Sequence, residues 1–395
     1  MKIVYLNYND YPTNQAAGSN LIGGLNTILF NLINNITQQH GQLVTVVRRN
    51  NGLSMGKETW SEVNLTAGPQ QTLTRAESEK YLPQFIKSCA EYFSQKCPDI
   101  VHTSGSEAGE TMRQLRLRGL SIPWVHTNYA TLAVRKVIVE GQENTTATTD
   151  PIGQREKQVL ETCDQIITLS TSDKTEVASI FNIPMEKIDV VEPGIDTDVF
   201  YPTFGRRNRT IISAGRMSKI KDFPFLLRSF SILKKRGLNG NLVVIGGNTT
   251  ERENLGLLDL ASALDLTNYL TWIDGVSQID LANYFRSARV FVACSLHETF
   301  GLLPVEARAC GTPFVARANS GYLATARDGY GGYFCKSDSE IDLADHIQQV
   351  LDLSEIEWQT LSLQAIKSIV PYNWLETARR SLAVYKKTIN KQKTK

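Results

Sequence analysis

The feature that most limits how this chain can fold is an alternation of short β-branched runs with amphipathic stretches, which begins at Lys2 and begins again at Thr210. Such runs read as buried strands, and the stretches between them as helices that cover both faces of a parallel sheet. The first series predicts strands at 2–7, 43–47, 99–102, 123–127, 165–169 and 188–191. Between the first two, Leu25, Ile28, Leu29, Leu32, Ile33 and Ile36 recur at helical spacing after a Gly/Asn loop at 18–24. The second series predicts strands at 210–214, 242–245 (ending in Gly246-Gly247), 269–273, 289–294 and 313–316. The stretch 192–205, opening Glu192-Pro193-Gly194, reads as a linker. Stretches 50–71 and 140–154, rich in Thr, Asn, Gly and Gln, read as loops. A last helix from about Asn373 carries Trp374, Ala378, Leu382 and Tyr385 on one face, and 386–395, with five lysines, reads as a frayed, solvated tail.

A chain of 395 residues has room for two to three domains. The expected arrangement is two Rossmann-like α/β domains, 1–200 and 205–370, with the helix at about 373–390 completing the first. Ligands of open α/β sheets bind at the carboxyl ends of the strands, so the chemistry is expected in loops after strands. A composition of 42% hydrophobic and 21% charged residues is that of an ordinary soluble protein. A net charge of +2 offers no basic surface for nucleic acid. No apolar run approaches the roughly 18 residues of a membrane span. The first residues turn polar too soon for a signal-peptide core. A cytoplasmic protein, monomer or homodimer, is expected, with only peripheral membrane contact by the lysine tail left open. Cys89, Cys97, Cys163, Cys294, Cys310 and Cys335 form no CxxC and have no His at zinc spacing, so free thiols are expected rather than a metal site. The sequon Asn144-Thr145-Thr146 reads as chance.

Three segments carry chemistry. The most informative runs from His297 to Pro313, HETFGLLPVEARACGTP, after a buried strand. Pro304 suits the first turn of a helix, Gly311 its end, and Gly301 a close approach of backbone to ligand. The start of that helix is an anion site suited to phosphate. Glu298 before it and Glu306, placed in its first turn, would repel a phosphate unless they served hydroxyl groups. The segment therefore reads as a nucleotide-sugar site, with amides on the diphosphate, Glu298 on the sugar and Glu306 on the ribose. The competing reading, in which Glu306 complements the helix dipole and Glu298 is solvated, stays open on these residues alone. Second, Gly215-Arg216 and Lys221 lie between a strand and a helix, five residues apart, where both cations reach one leaving diphosphate. Third, Gly23-Gly24-Leu25-Asn26 opens a helix and fits neither the dinucleotide fingerprint nor a Walker A loop. Asp196-Thr197-Asp198 looks like a metal-binding pair but reads better as Asx-turn chemistry.

These segments, together with Pro193-Gly194-Ile195-Asp196, resemble the retaining glycosyltransferase family 4, of GT-B fold. The branch holding sucrose-phosphate synthases and the mycothiol-pathway glycosyltransferase looks most alike. That rests on Gly23-Gly24-Leu25-Asn26, Asp99-Ile100-Val101-His102, Val125-His126-Thr127 and Arg327-Asp328-Gly329 with Gly332. The resemblance implies two facing Rossmann-like domains with an interdomain cleft. It implies a nucleoside-diphosphate sugar, UDP-linked in both nearby branches, in the second domain and an acceptor in the first. Transfer would retain configuration without a metal or other cofactor. Arg216 and Lys221 would neutralise the diphosphate, and Glu298 with the amides of Thr299, Phe300, Gly301 and Leu302 would hold the sugar. Glu306 would hold the ribose, Gly215 and Gly24 would lie close to the donor, and Gly23 and Asn26 would face the acceptor.

Two departures stand out. The family's Thr-x-His after the strand ending near 127 is here Thr127-Asn128-Tyr129, so Tyr129 takes the His position, or a local shift brings in His126, or activity is altered. Where mycothiol enzymes hold inositol phosphate through a Tyr and an Arg, this chain has Gly105 and Ile152 or Gly153, with Arg155 out of register, which argues against that acceptor. A small polyol, sugar or glycoconjugate is expected instead. Two rivals remain: a catalytically silent partner subunit that binds nucleotide sugar or glycan, and a glycosidase using Glu298 and Glu306 as its carboxylate pair.

Overall fold

The β-branched runs pair in parallel into two separate sheets, as suits strands buried on both faces. This computed structural model describes residues 1–8, 24–51, 59–71, 73, 75–129, 132–140 and 150–394. They divide into two compact units, one holding the opening strand, Leu25–Gly194 and Trp374–Lys395, the other Ile195–Asn373.

The first unit runs β1 (Lys2–Asn7), α1 (Gly24–Gln38), β2 (Leu43–Arg49), β3 (Ser61–Leu65), α2 (Arg75–Gln95), β4 (Ile100–Ser104), α3 (Ser106–Leu117), β5 (Trp124–Thr127), α4 (Leu132–Glu140), α5 (Pro151–Thr162), β6 (Gln165–Thr168), α6 (Thr171–Phe181) and β7 (Ile188–Val190). Its sheet order is β3-β2-β1-β4-β5-β6-β7. The second runs β8 (Thr210–Ala214), α7 (Phe223–Lys235), β9 (Asn241–Ile245), α8 (Thr249–Asn254), α9 (Leu257–Ala263), β10 (Leu270–Ile273), α10 (Gln278–Ser287), β11 (Val290–Ala293), α11 (Leu302–Ala309), β12 (Phe314–Arg317), α12 (Ser320–Thr325), β13 (Gly332–Cys335), α13 (Glu340–Asp352) and α14 (Glu355–Ser368). Its order is β10-β9-β8-β11-β12-β13. The last helix, α15 (Trp374–Lys393), belongs to the first unit. Both units are Rossmann-like. Each sheet reverses its strand order once, at β1/β4 and at β8/β11, and a crevice opens at such a reversal.

The predicted stripe of α1 is buried at Ile28, Leu29, Leu32, Ile33 and Ile36. Its core cluster also takes Ala378, Leu382, Val384 and Tyr385 from α15, so two helices distant in sequence cover one face of the first sheet. The structure differs from expectation in three places. Within the expected loop 50–71 lies β3, an edge strand whose polar Ser61, Glu62 and Asn64 hide a strand pattern that pairing with β2 supplies. Edge strand β13 was also not among the expected strands; it pairs in parallel with β12. The lysine tail is not frayed: α15 continues to Lys393, Thr388 is buried, and Lys387 pairs with Asp189 at 2.9 Å. Of the expected loop 140–154, residues 141–149 lie outside the described residues. Its end is ordered by Asp150, whose side chain accepts from the Ile152 amide at 2.6 Å and caps α5.

Tyr385 also joins a buried chain of polar groups. Its hydroxyl meets those of Tyr5 and, at 2.6 Å, His102 Nδ1; His102 Nε2 lies 2.6 Å from the Thr127 hydroxyl. Burial pushes His102 down to about 3, so the ring is neutral. Tyr385→Phe would leave two buried polar groups without a partner, at a cost of about 1–3 kcal/mol. A melting temperature several degrees below wild type is expected, and an unchanged one would contradict this account of how α15 is fixed.

Candidate functional site

In the second sheet the strand order reverses between β8 and β11, and the loops that leave those two strands carry most of the charged candidates. After β8, residues 219–221 form one 3-10 turn, closed by the Lys221 amide on Ser218 O at 3.0 Å. Asp222 follows with φ 47° and caps α7, and Arg317 fixes its carboxylate at 3.0 Å. The two loops are tied by the Leu296 amide donating to Ile220 O at 2.8 Å. That arrangement brings Lys221 onto Glu298 as an ion pair, with both side chains mostly buried. Gly215 lies beside the Lys221 methylenes. Arg216 is exposed and makes no hydrogen bond or ion pair among the described residues.

The second loop leads into α11 through Thr299, Phe300 and Gly301, all buried. Gly301 has φ 86°, and a Cβ there would lie 2.5 Å from the Tyr322 ring, so only glycine fits. No side chain caps α11. The first-turn amides of Leu302 and Leu303 therefore have no side-chain cap, while Pro304 has no N–H to satisfy. The Thr299–Leu302 stretch, Glu298, Lys221 and Gly215 are thus brought together by one sheet crossover. Glu306 does not sit in the first turn as expected. The helix begins at Leu302, which puts Glu306 in the second turn, and there is no acidic residue in the first. A dipole-complementing role in the first turn is thereby removed. Glu306 is 7% exposed, and burial pushes its carboxyl up to about 7.

Elsewhere the candidates have plainer roles. Asp196 forms the expected Asx turn, its Oδ1 accepting from the Asp198 amide at 3.1 Å. Five of the six cysteines are buried, and no metal-holding group of His, Cys, Asp and Glu occurs among the described residues. No described helix is long and apolar enough to cross a membrane.

Gly24 begins α1 and Asn26 follows in its first turn; Gly23 lies outside the described residues. Strand alternation separates the two candidates near β5. His126 points to the side of Trp124, with Nδ1 2.8 Å from the Thr103 hydroxyl, and α3 comes so close that a Cβ on Gly109 would touch its ring at 3.0 Å. Burial pushes it down to about 4. It is packed as a strand histidine between Thr103 and α3. Tyr129, past the strand end, lines a small cavity with His102, Thr127, Thr377 and Ser381. His102 entered the sequence reading only as part of a resemblance. Its buried contact with α15 had no local signal, because its partner is 283 residues away.

Residues 196–361 match the family described as glycosyl transferases group 1, and residues 22–199 match glycosyltransferase family 4. The chain belongs to glycosyltransferase family 4. Two curated relatives are named D-inositol 3-phosphate glycosyltransferase. The one from Paenarthrobacter aurescens is 26% identical, over 83% of this chain and 83% of its own. The one from Mycobacterium tuberculosis is 29% identical, over 82% of this chain and 70% of its own. The solved sucrose-phosphate synthase of Thermosynechococcus elongatus is 22% identical and superposes with a TM-score of 0.84, covering 98% of each chain. That likeness gives this family 4 chain the GT-B fold of two Rossmann-like domains. As a family 4 glycosyltransferase it is an enzyme, and it takes its glycosyl group from a nucleotide sugar.

Proposed function

We propose that this enzyme is a retaining hexosyltransferase that moves a sugar from a UDP-sugar to a hydroxyl of a small polyol, sugar or glycoconjugate, without a metal. The observation that carries this is the convergence of Lys221, Glu298 and the uncapped start of α11 on one sheet crossover. In this reading Arg216 and Lys221 bear the charge that grows on the leaving diphosphate, which is the work a metal does elsewhere. The amides of Thr299 to Leu302 and the Glu298 carboxylate hold the donor, Gly215 and Gly24 allow it to lie close, and Glu306 accepts from the ribose hydroxyls. Tyr129 and Asn26 face the acceptor held by the first unit. In this reading attack comes from the face the diphosphate leaves, and a diphosphate oxygen takes the acceptor's proton.

The names of the relatives specify a phosphate-bearing acceptor. The first unit argues for an uncharged one. Helices that follow strands begin at the carboxyl edge of the sheet, and three first-unit arginines whose side chains are described are already engaged. Arg155 gives both terminal nitrogens to Glu79 in α2, and Arg113 binds Glu110 at 2.7 and 2.8 Å. Arg49 donates to the carbonyls of Pro69 and Gln71 at 2.8 and 2.6 Å.

The test is proton NMR of the product formed from UDP-hexoses with a panel of neutral and phosphorylated acceptors, with and without EDTA. An α-linked product from an α-linked donor, on a neutral acceptor and insensitive to EDTA, is expected. An inverted linkage would overturn the retaining reading. Nucleotide binding without turnover on any acceptor would favour the silent partner subunit.

A further inference from the structure

Glu298 stands on a loop with no regular structure of its own, yet its carboxylate is gripped from the buried side. The Tyr322 hydroxyl donates to Ser295 Oγ at 2.9 Å, and Ser295 Oγ donates to Glu298 Oε1 at 3.0 Å. Both relaying residues are almost wholly buried, Tyr322 at 3% and Ser295 at 1% exposure. The backbone of the same corner is pinned as well. Asn319 donates to Ser295 O at 2.8 Å and accepts from the Tyr322 amide at 3.1 Å. Gly321 packs so tightly that a Cβ would lie 2.3 Å from Glu298 O. The Tyr322 ring also fills the space beneath Gly301, so a single side chain supports both the start of α11 and the grip on Glu298.

Lys221 also grips Glu298, reaching the same oxygen at the end of a flexible stem. A diphosphate draws that lysine away. A carboxylate held by the lysine alone would swing with it, whereas one held by the relay stays in place to receive the sugar hydroxyls.

We propose that Tyr322 and Ser295 are positioning residues, a two-hydroxyl relay that keeps Glu298 aimed at the transferred sugar when Lys221 turns to the diphosphate. The inference rests on the donor-site reading above and adds to it a division of labour. The relay serves the sugar and not the nucleotide. Its members are coupled, since the Tyr322 hydroxyl holds Ser295 and also reaches the Glu298 carboxylate, so losing both costs less than the product of the single losses.

The experiment is calorimetric titration of UDP and of UDP-glucose into the full chain, as wild type, Tyr322→Phe, Ser295→Ala and the double variant. Tyr322→Phe keeps the ring beneath Gly301, and Ser295→Ala is a second, smaller probe of the same relay. UDP affinity is expected to stay within about twofold in all, while UDP-glucose affinity falls about tenfold in each single variant, the loss of one hydrogen bond to a charged group. The double variant is expected to lose more than either single variant but clearly less than the product of the two losses. UDP and UDP-glucose weakening together, UDP-glucose unaffected, or a double loss equal to the product of the single ones would each overturn the relay while leaving the donor site standing. A wild-type chain that binds neither ligand would overturn the donor-site reading itself.

Discussion

Arg216→Ala is expected to lower kcat by about a hundredfold to a thousandfold, the usual consequence of removing one preorganised charge from a developing anion. The melting temperature should stay within about a degree of wild type, because Arg216 is exposed and supports no other described group. The combination is informative. A residue at the end of β8 that mattered through packing would lose stability and rate together. Lys221→Ala provides the contrast: it also strips Glu298 of its cation, so a loss of stability should accompany the loss of rate. Initial rates at saturating donor, beside melting curves, check both. Less than a tenfold loss for Arg216→Ala would remove it from the diphosphate.

Glu306→Gln is expected to move stability and activity in opposite directions. Burial raises the Glu306 carboxyl from its ordinary 4.5 to about 7. The folded state therefore holds this proton more tightly than the unfolded chain does. Below the ordinary value Glu306 costs no stability; the cost grows as pH rises between the two values and is complete above the higher one. At 1.36 kcal/mol per unit the full cost is about 3 kcal/mol. Glutamine does not ionise, so the variant should melt several degrees above wild type at pH 8 and close to it at pH 4. Its kcat/KM for the donor should nevertheless fall by about a hundredfold, since an amide is a poor substitute for a carboxylate accepting from two ribose hydroxyls. The wild-type kcat/KM should fall as pH drops below 7, as the carboxylate takes up its proton, and the variant should lack that dependence. A variant that is active, or no more stable than wild type at pH 8, would contradict the ribose role.

The two-sheet architecture was legible because parallel strands buried on both faces read as apolar runs. What was not legible lay at edges and at long range. Ser61–Leu65 is half polar because it is an edge strand, and only its register against β2 identifies it. The lysines of α15 look like a solvated tail until Asp189 and the buried Thr388 show what the helix lies against. For the site, Gly215, Lys221, Glu298 and the 299–302 stretch could be named from residue type and spacing, and the structure brings them to one crossover. Glu306 was named but placed a turn too early, because Pro304 and not Leu302 was taken to mark the helix start. Ser295 and Tyr322 carry no motif. One is a small hydroxyl at a strand end, the other a tyrosine on a short helix, and their link to Glu298 exists only in three dimensions. Of the two candidates near β5, strand alternation places Tyr129 on the face shared with His102 and turns His126 to the other.

The most direct test of the central claim is thermal unfolding of the purified chain with UDP, with and without EDTA, for wild type, Arg216→Ala and Lys221→Ala. A ligand at about a hundred times its Kd adds roughly 2.7 kcal/mol, well within reach of a melting curve. An EDTA-insensitive rise in Tm with UDP that both variants lose is the expected result. No rise in the wild type, or one that both variants keep in full, would contradict a diphosphate site built from these two cations.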